Sequence, residues 1–270
     1  MEHLRAAYTE VWVPARSAPL IRFADCVRGI SSTGLDLLGL PDREPPRGLL
    51  DLLAQFDSIV SWYGTNRPEF HAAMARLPFT SIEALPDADC SLHAADFYLM
   101  QARRICADGT WSERSAIPRI ECARTAPSGQ TDLSARFARD RSSGYIVIHP
   151  FSGSAKKNWP LERYRQVARQ LGDAVRWCAG PEDELAEAVR FENLYEVACW
   201  LAGARLYIGN DSGITHLAAA AGTPVLALFG PTEARVWAPR GERVQVLARM
   251  ESLNADDVVA AARELLRATG

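Results

Sequence analysis

Two short segments carry side chains whose types and spacing suit a phosphate-bearing ligand. The first, His149-Pro-Phe-Ser-Gly-Ser-Ala-Lys-Lys-Asn-Trp-Pro160, joins a buried apolar run to a helical one. Ser152, Gly153 and Ser154 offer backbone N–H groups and hydroxyls to an anion. Lys156 and Lys157 add positive charge, and the next helix presents its positive end. The order differs from a Walker loop, since GxxxxGK[ST] is missing. Taken alone, a solvated turn with two surface lysines explains the segment equally well. The second segment, Gly209-Asn-Asp-Ser-Gly-Ile-Thr-His216, comes after an apolar run and opens an alanine-rich helix. Asp211 or Ser212 suits the N-cap, and Gly213 lets a ligand approach the backbone closely. His216 falls one turn into that helix, on the same N-terminal face. A helix cap with a structural histidine is the plain alternative for this segment by itself. Two such loops in one sheet favour a binding site.

Composition sharpens the first segment. Of 30 basic residues only two are lysine, the neighbours Lys156 and Lys157; the others are all arginine. The net charge of -3 argues against a nucleic-acid binder held by bulk charge. No apolar run approaches the roughly 20 residues of a membrane span, and MEHLRAAYTE lacks a signal peptide's apolar core. Cys26, Cys90, Cys106, Cys122, Cys178 and Cys199 form no CxxC pair and read as reduced, mostly buried thiols of a cytoplasmic protein.

Positioning these loops requires alternating strands and helices. Strands are predicted near Glu10–Pro14, Cys26–Ile30, Ser58–Trp62 and Phe79–Ile82, with helices near Ala18–Ala24, Leu49–Phe56, Pro68–Ala75 and His93–Cys106. From Asp108 to Arg141 the polar, arginine-dotted chain reads as a strand plus an interdomain linker. Beyond it, strands are predicted at Tyr145–His149, Val175–Cys178, Leu206–Ile208, Val225–Phe229 and Val244–Leu247. Helices are predicted at Leu161–Leu171, Glu182–Val189, Leu194–Leu201, Ile214–Ala221 and Ala255–Arg267. Repeated βα units of this length imply a doubly wound α/β sheet with ligands at the carboxyl ends of its strands.

The motifs HPFSGSAKKNWPLERY, CAGPEDE and YIGNDSGITHLAAAAGTPVLALFGPT resemble the ADP-heptose:lipopolysaccharide heptosyltransferases, glycosyltransferase family 9. The resemblance is strong from Tyr145 to Gly241. It implies the GT-B architecture, two Rossmann-like domains facing a cleft, here 1–140 on the acceptor side and 141–270 on the nucleotide-sugar side. The last helix is expected to pack back on the N-terminal domain. It also implies an inverting transfer of a heptose-like sugar from a nucleotide diphosphate donor, such as ADP-heptose, to a lipopolysaccharide-like glycolipid. No metal or other cofactor is implied; the nucleotide sugar is a substrate. The protein would work in the cytoplasm, in peripheral contact with the inner face of the cytoplasmic membrane. By position, Ser152, Gly153 and Ser154 would hold the diphosphate, and Lys157 would stabilise the leaving group. Asp211, Ser212, Gly213 and His216 match the donor-binding helix start. Glu184, with Glu182 as competitor, would contact the nucleoside.

One element of the pattern is missing. The family's N-terminal domain opens with a strand and a Gly-Asp turn whose aspartate is the expected general base. Here MEHLRAAYTEVWVP resembles the end of the family's first helix and its next strand. Asp36 comes after the wrong elements to replace the missing turn, so no catalytic base is assigned. Either the assigned start is late or the chain is a noncatalytic nucleotide-sugar-binding relative. Another GT-B enzyme, such as a sugar-nucleotide epimerase, is disfavoured by DSGxxH. Asp87 and Asp89 imitate a metal-binding DxD by chance, and His71 and His93 lack ligand partners at zinc spacing. Ser212 sits one position off a GxSxG elbow. Trp159 is a candidate cleft residue, whereas Trp62 and Tyr63 fit core or interdomain packing better. The arginines between Arg103 and Arg141 read as a solvated face that can meet anionic headgroups.

Overall fold

The computed structural model describes residues 6–87, 89–105, 117–122, 144–172 and 174–268. Most of the segment predicted as strand plus linker, Asp108 to Arg141, lies outside the described residues, as do most of its arginines. The chain divides into two compact units, 1–90 with 96–114, and 91–95 with 115–270.

In the N-terminal unit the strands form two separate parallel pairs. β1 (Glu10–Val13) pairs with β2 (Cys26–Gly29), Val11 opposite Val27. β3 (Ile59–Ser61) pairs with β4 (Phe79–Ser81), Val60 opposite Thr80. The helix predicted at Ala18–Ala24 is instead a 3₁₀ turn, Ala15–Leu20, with Pro19 inside, whose missing N–H disfavours α-helical pairing. α1 (Ile30–Thr33) ends at Gly34 in the left-handed conformation. α2 (Leu49–Leu53) and α3 (Pro68–Met74) bury Leu49, Leu53, Phe70 and Met74 with Leu35 and Leu38. Pro68 suits the first turn of α3, where its missing N–H costs nothing. Gly64, at φ +72°, suits only glycine without strain, because a Cβ there would lie 2.6 Å from the Phe70 ring and force a shift. α4 (Ala94–Ile105) comes next.

The C-terminal unit is built on one five-stranded parallel sheet. Its strands are β5 (Ile146–His149), β6 (Val175–Trp177), β7 (Leu206–Asn210), β8 (Val225–Leu228) and β9 (Val244–Leu247), in the order β6-β5-β7-β8-β9. β5, β7 and β8 are buried on both faces, as their unbroken apolar runs require. Ile146, Ile148, Leu206, Ile208, Leu226 and Leu228 meet α5 (Leu161–Leu171) and α9 (Ala255–Ala268) on one face. α5 presents Tyr164 and Val167; α9 presents Val258, Val259, Ala261 and Ala262. α6 (Leu194–Leu201), capped by Asn193, packs beside α7 (Gly213–Ala220), whose Thr215 reaches the Tyr207 hydroxyl. The short α8 (Ala234–Trp237) lies between β8 and β9 in the chain.

Glu182–Val189 is not helical. The Arg190 guanidinium takes the carbonyls of Gly180, Asp183, Leu185 and Ala188, and Val189 bridges to Cys178, so the segment's carbonyls are committed to a side chain and the sheet edge. Trp159 is a core residue: it is 1% exposed and meets Tyr164 edge-on with centroids 5.0 Å apart.

Candidate functional site

In the C-terminal unit the chain leaves β5 to one side for β6 and returns to the other side for β7. The carboxyl ends of β5 and β7 therefore flank the point where strand order reverses, where open α/β sheets bind ligands. Both loops singled out in the sequence start there: one leaves from His149, the other from Asn210.

An ion pair joins the loops. Lys157 Nζ donates to Asp211 Oδ2 at 2.7 Å, and Thr232 Oγ1 donates to the same oxygen at 2.7 Å. The Asp211 side chain is 8% exposed and that of Lys157 32%. A buried carboxylate thus holds the ammonium at the rim in a charge-assisted hydrogen bond. Lys156 is exposed. Thr232 brings in the turn after β8, so three consecutive strand ends meet.

Asn210 fixes the loops from beneath. Its Oδ1 accepts from Trp159 N at 3.1 Å and from the Tyr164 hydroxyl at 2.8 Å, while its Nδ2 donates to Pro150 O at 2.8 Å. Ser212 caps α7 and lies 3.1 Å from Thr215 Oγ1, which also donates to Asn210 O. The amides of Gly213 and Ile214, at the start of α7, have no intrahelical acceptor by position and carry the positive end of the helix dipole. A Cβ built on Gly153 or Gly213 would meet nothing within 4 Å, so both backbones are open to a ligand. Ser152 Oγ lies 2.7 Å from Asn158 Oδ1, which orders the first loop.

His216 belongs to the same electrostatic group. It keeps part of its surface exposed, yet loss of hydration lowers its pKa; Asp211 opposes this, while His93 and Lys157 reinforce it. Glu182 and Glu184 are exposed and make no side-chain hydrogen bond among the described residues; Asp183 instead accepts from Gly180 N at 2.7 Å and shapes the turn. His71 and His93 each place Nε2 on a carbonyl, Thr65 O and Ala238 O. Among the described residues no cluster of three or more His, Cys, Asp or Glu is placed to hold a metal. Sequence reasoning passed over Asn210, Asn158 and Thr232; the signal for Thr232 was its turn directly after a buried strand.

His149 ends β5 beneath the first loop, 5% exposed, with its pKa pushed down to about 4 by burial. The unfolded chain binds a proton below about pH 6.5 that the folded chain refuses until about pH 4. Stability therefore falls as pH drops through that window, by about 3 kcal/mol in all. His149→Gln is expected to remove this component. Urea unfolding of both proteins across the window checks it; identical pH slopes would refute it.

Residues 118–264, more than half of the chain, match the family model for glycosyltransferase family 9 (heptosyltransferase). Lipopolysaccharide heptosyltransferase 1 of Pseudomonas aeruginosa is 36% identical over 108 residues, 34% of this chain and 30% of that protein. Lipopolysaccharide heptosyltransferase 1 of Escherichia coli K12 is 34% identical over 104 residues, 33% of each. The matched segment thus spans about a third of these curated relatives. Among solved structures, the family 9 glycosyl transferase from Veillonella parvula DSM 2008 aligns with a TM-score of 0.69 at 17% identity, over 97% of this chain and 88% of that one. E. coli ADP-heptose lps heptosyltransferase II aligns at 0.68 and 16%, over 96% and 89%. E. coli heptosyltransferase WaaC with ADP aligns at 0.55 and 15%, over 95% and 99%. The fold is GT-B. By its sequence the chain belongs to glycosyltransferase family 9, the heptosyltransferases.

Proposed function

We propose that this chain binds a nucleotide diphosphate sugar, ADP-heptose or a close analogue, at the carboxyl ends of β5, β7 and β8, and passes the sugar with inversion to a lipopolysaccharide-type glycolipid. The observation that carries this is the Lys157–Asp211 pair joining two open βα loops at the strand-order reversal. The diphosphate would lie across Ser152, Gly153 and Ser154 and the first amides of α7, with Ser212 and His216 beside it. Lys157 and the helix end would take up the charge that develops on the departing diphosphate. Glu182 and Glu184, free of structural bonds among the described residues, are the proposed nucleoside contacts. The acceptor implies peripheral contact with a membrane surface; no described helix is long and apolar enough to cross one.

A test separates ligand contact from structural support. Alanine fits at Gly153 and Gly213 without touching other atoms. Gly153→Ala and Gly213→Ala are therefore expected to keep the melting temperature yet weaken ADP binding by about tenfold or more, through loss of close backbone approach. Titration calorimetry with ADP, UDP and inorganic diphosphate reads this. Unchanged ADP affinity in both variants would remove the site assignment. A second reading is donor binding without turnover: Asp36, the carboxylate weighed as a replacement for the base, sits in the turn after α1 with Oδ1 buried and without a hydrogen-bond partner among the described residues. ADP-heptose binding without sugar transfer to a deacylated lipopolysaccharide core would support it.

A further inference from the structure

A hydroxyl group has one proton to donate, and at the start of α7 the partners decide where each proton goes. Thr215 Oγ1 donates to Asn210 O, which commits its proton and leaves its lone pairs to accept. Tyr207 and Thr215 are 0% exposed, and the Tyr207 hydroxyl lies 3.1 Å from Thr215 Oγ1, so Tyr207 is the donor in that bond. Ser212 Oγ lies 3.1 Å from the same oxygen, and the serine proton fills its second lone pair. Ser212 Oγ itself accepts from Thr215 N at 3.4 Å. Thr232 follows from a simpler argument. Asp211 Oδ2 is a carboxylate oxygen without a proton, so the 2.7 Å bond between them uses the proton of the threonine.

Ser212 and Thr232 are both half-buried and stand beside Asp211, one by sequence and one by its hydrogen bond. With their protons turned onto protein acceptors, they present only lone pairs to a ligand. The diphosphate of a nucleotide sugar carries no proton at neutral pH, so its oxygens are acceptors too, and acceptors in contact repel. The groups that complement it are Lys157 Nζ and the first amides of α7, Gly213 and Ile214, which only donate. The site therefore divides into a donor half suited to a diphosphate and an acceptor half suited to hydroxyl groups. We propose that Ser212 and Thr232 accept hydrogen bonds from hydroxyls of the transferred sugar, and that neither side chain holds the diphosphate. This rests on the donor binding at these strand ends. It makes the two residues determinants of sugar specificity, since a site that pairs a substrate hydroxyl discriminates against analogues that lack it.

The experiment reads the ratio of ADP-heptose affinity to ADP affinity, by titration calorimetry in the absence of a glycolipid acceptor. Any general weakening of the diphosphate site, including loss of the α7 cap or of the bond to Asp211, cancels in that ratio. Ser212→Ala and Thr232→Val are each expected to lower it by about fivefold or more, the scale of one hydrogen bond. Thr232→Ser keeps the hydroxyl and should hold the ratio within about twofold of the parent's. If Ser212→Ala does not fold, Thr232→Val against Thr232→Ser carries the comparison. An unchanged ratio in either folded variant overturns the proposal. That holds whether all affinities fall together, inorganic diphosphate included, because the hydroxyl turns to donate to phosphate, or none falls. Unchanged ADP affinity in the two glycine variants is a separate result, which removes the site itself.

Discussion

Asn210→Ala is expected to lower the stability of the C-terminal unit by about 3–6 kcal/mol, although the substitution removes only a small amide. Three partners are left behind: the Trp159 N–H, the Tyr164 hydroxyl and the Pro150 carbonyl. Asn210 and Tyr164 are 0% exposed and Trp159 is 1% exposed, so water does not replace the lost bonds freely. Each unsatisfied buried group costs about 1–3 kcal/mol. At about 2–4 °C per kcal/mol for a unit of this size, the midpoint should fall by about 10–20 °C. Asn210→Asp keeps an acceptor but loses the donor to Pro150 O and buries a charge, so it should rescue little. Gln170→Ala, which removes an exposed bond to Asp256, should change stability by less than about 0.5 kcal/mol. Calorimetric melting with near-ultraviolet dichroism of the tryptophans measures all three. A loss below about 1 kcal/mol in Asn210→Ala would show that the hub is dispensable.

The contrast between Asn210 and the elements around it shows what the sequence made legible. The strands of the C-terminal unit are unbroken runs such as YIVIH and VLAL, and helices such as Leu161–Leu171 repeat apolar residues with helical period; both signals are local. The helix predicted over Glu182–Val189 failed because Arg190, just past its end, binds the carbonyls of Asp183 and Leu185, which a helix would have used internally, together with those of Gly180 and Ala188. Trp159 looked like a cleft aromatic because its loop is polar, yet its ring turns into the core formed by α5 and the sheet. The two loops were visible as candidate anion sites, but their connection was not. Lys157 and Asp211 stand 54 positions apart, and Asn210 reaches partners 46, 51 and 60 positions away. Those contacts depend on β7 lying beside β5, an adjacency set by sheet order rather than residue order. Thr232 was hidden for the same reason: only the β7–β8 pairing brings its turn to Asp211.

Lys157→Ala is expected to weaken ADP binding by about 100-fold, near the upper end of what one charge-assisted contact supplies. The size reflects the group that the substitution leaves behind. Asp211 would keep only Thr232 on Oδ2, and its nearly buried carboxylate would then face the incoming diphosphate without its cation. The variant loses an attraction and gains a repulsion. Lys157→Ala combined with Asp211→Asn removes both, and is expected to recover about tenfold of the lost affinity, which with the modest loss in Asp211→Asn alone makes a coupling of at least about 1.4 kcal/mol. Asp211→Asn alone frees the ammonium from its anchor. It should cost affinity modestly and steepen the dependence on salt, because a less buried, less fixed charge is screened more strongly. Lys157→Arg should rescue poorly: the single 2.7 Å bond to Asp211 Oδ2 suits a compact ammonium, and a planar guanidinium presents its donors in a different fork. Apart from Lys156 beside it, this chain uses arginine for every other basic residue, so lysine in this loop is a departure with a geometric reason. Titration of the four proteins with ADP at two salt concentrations completes the cycle. If the double variant binds as weakly as the two single losses multiplied, the pair does not act as a unit, and Lys157 serves the diphosphate independently of Asp211.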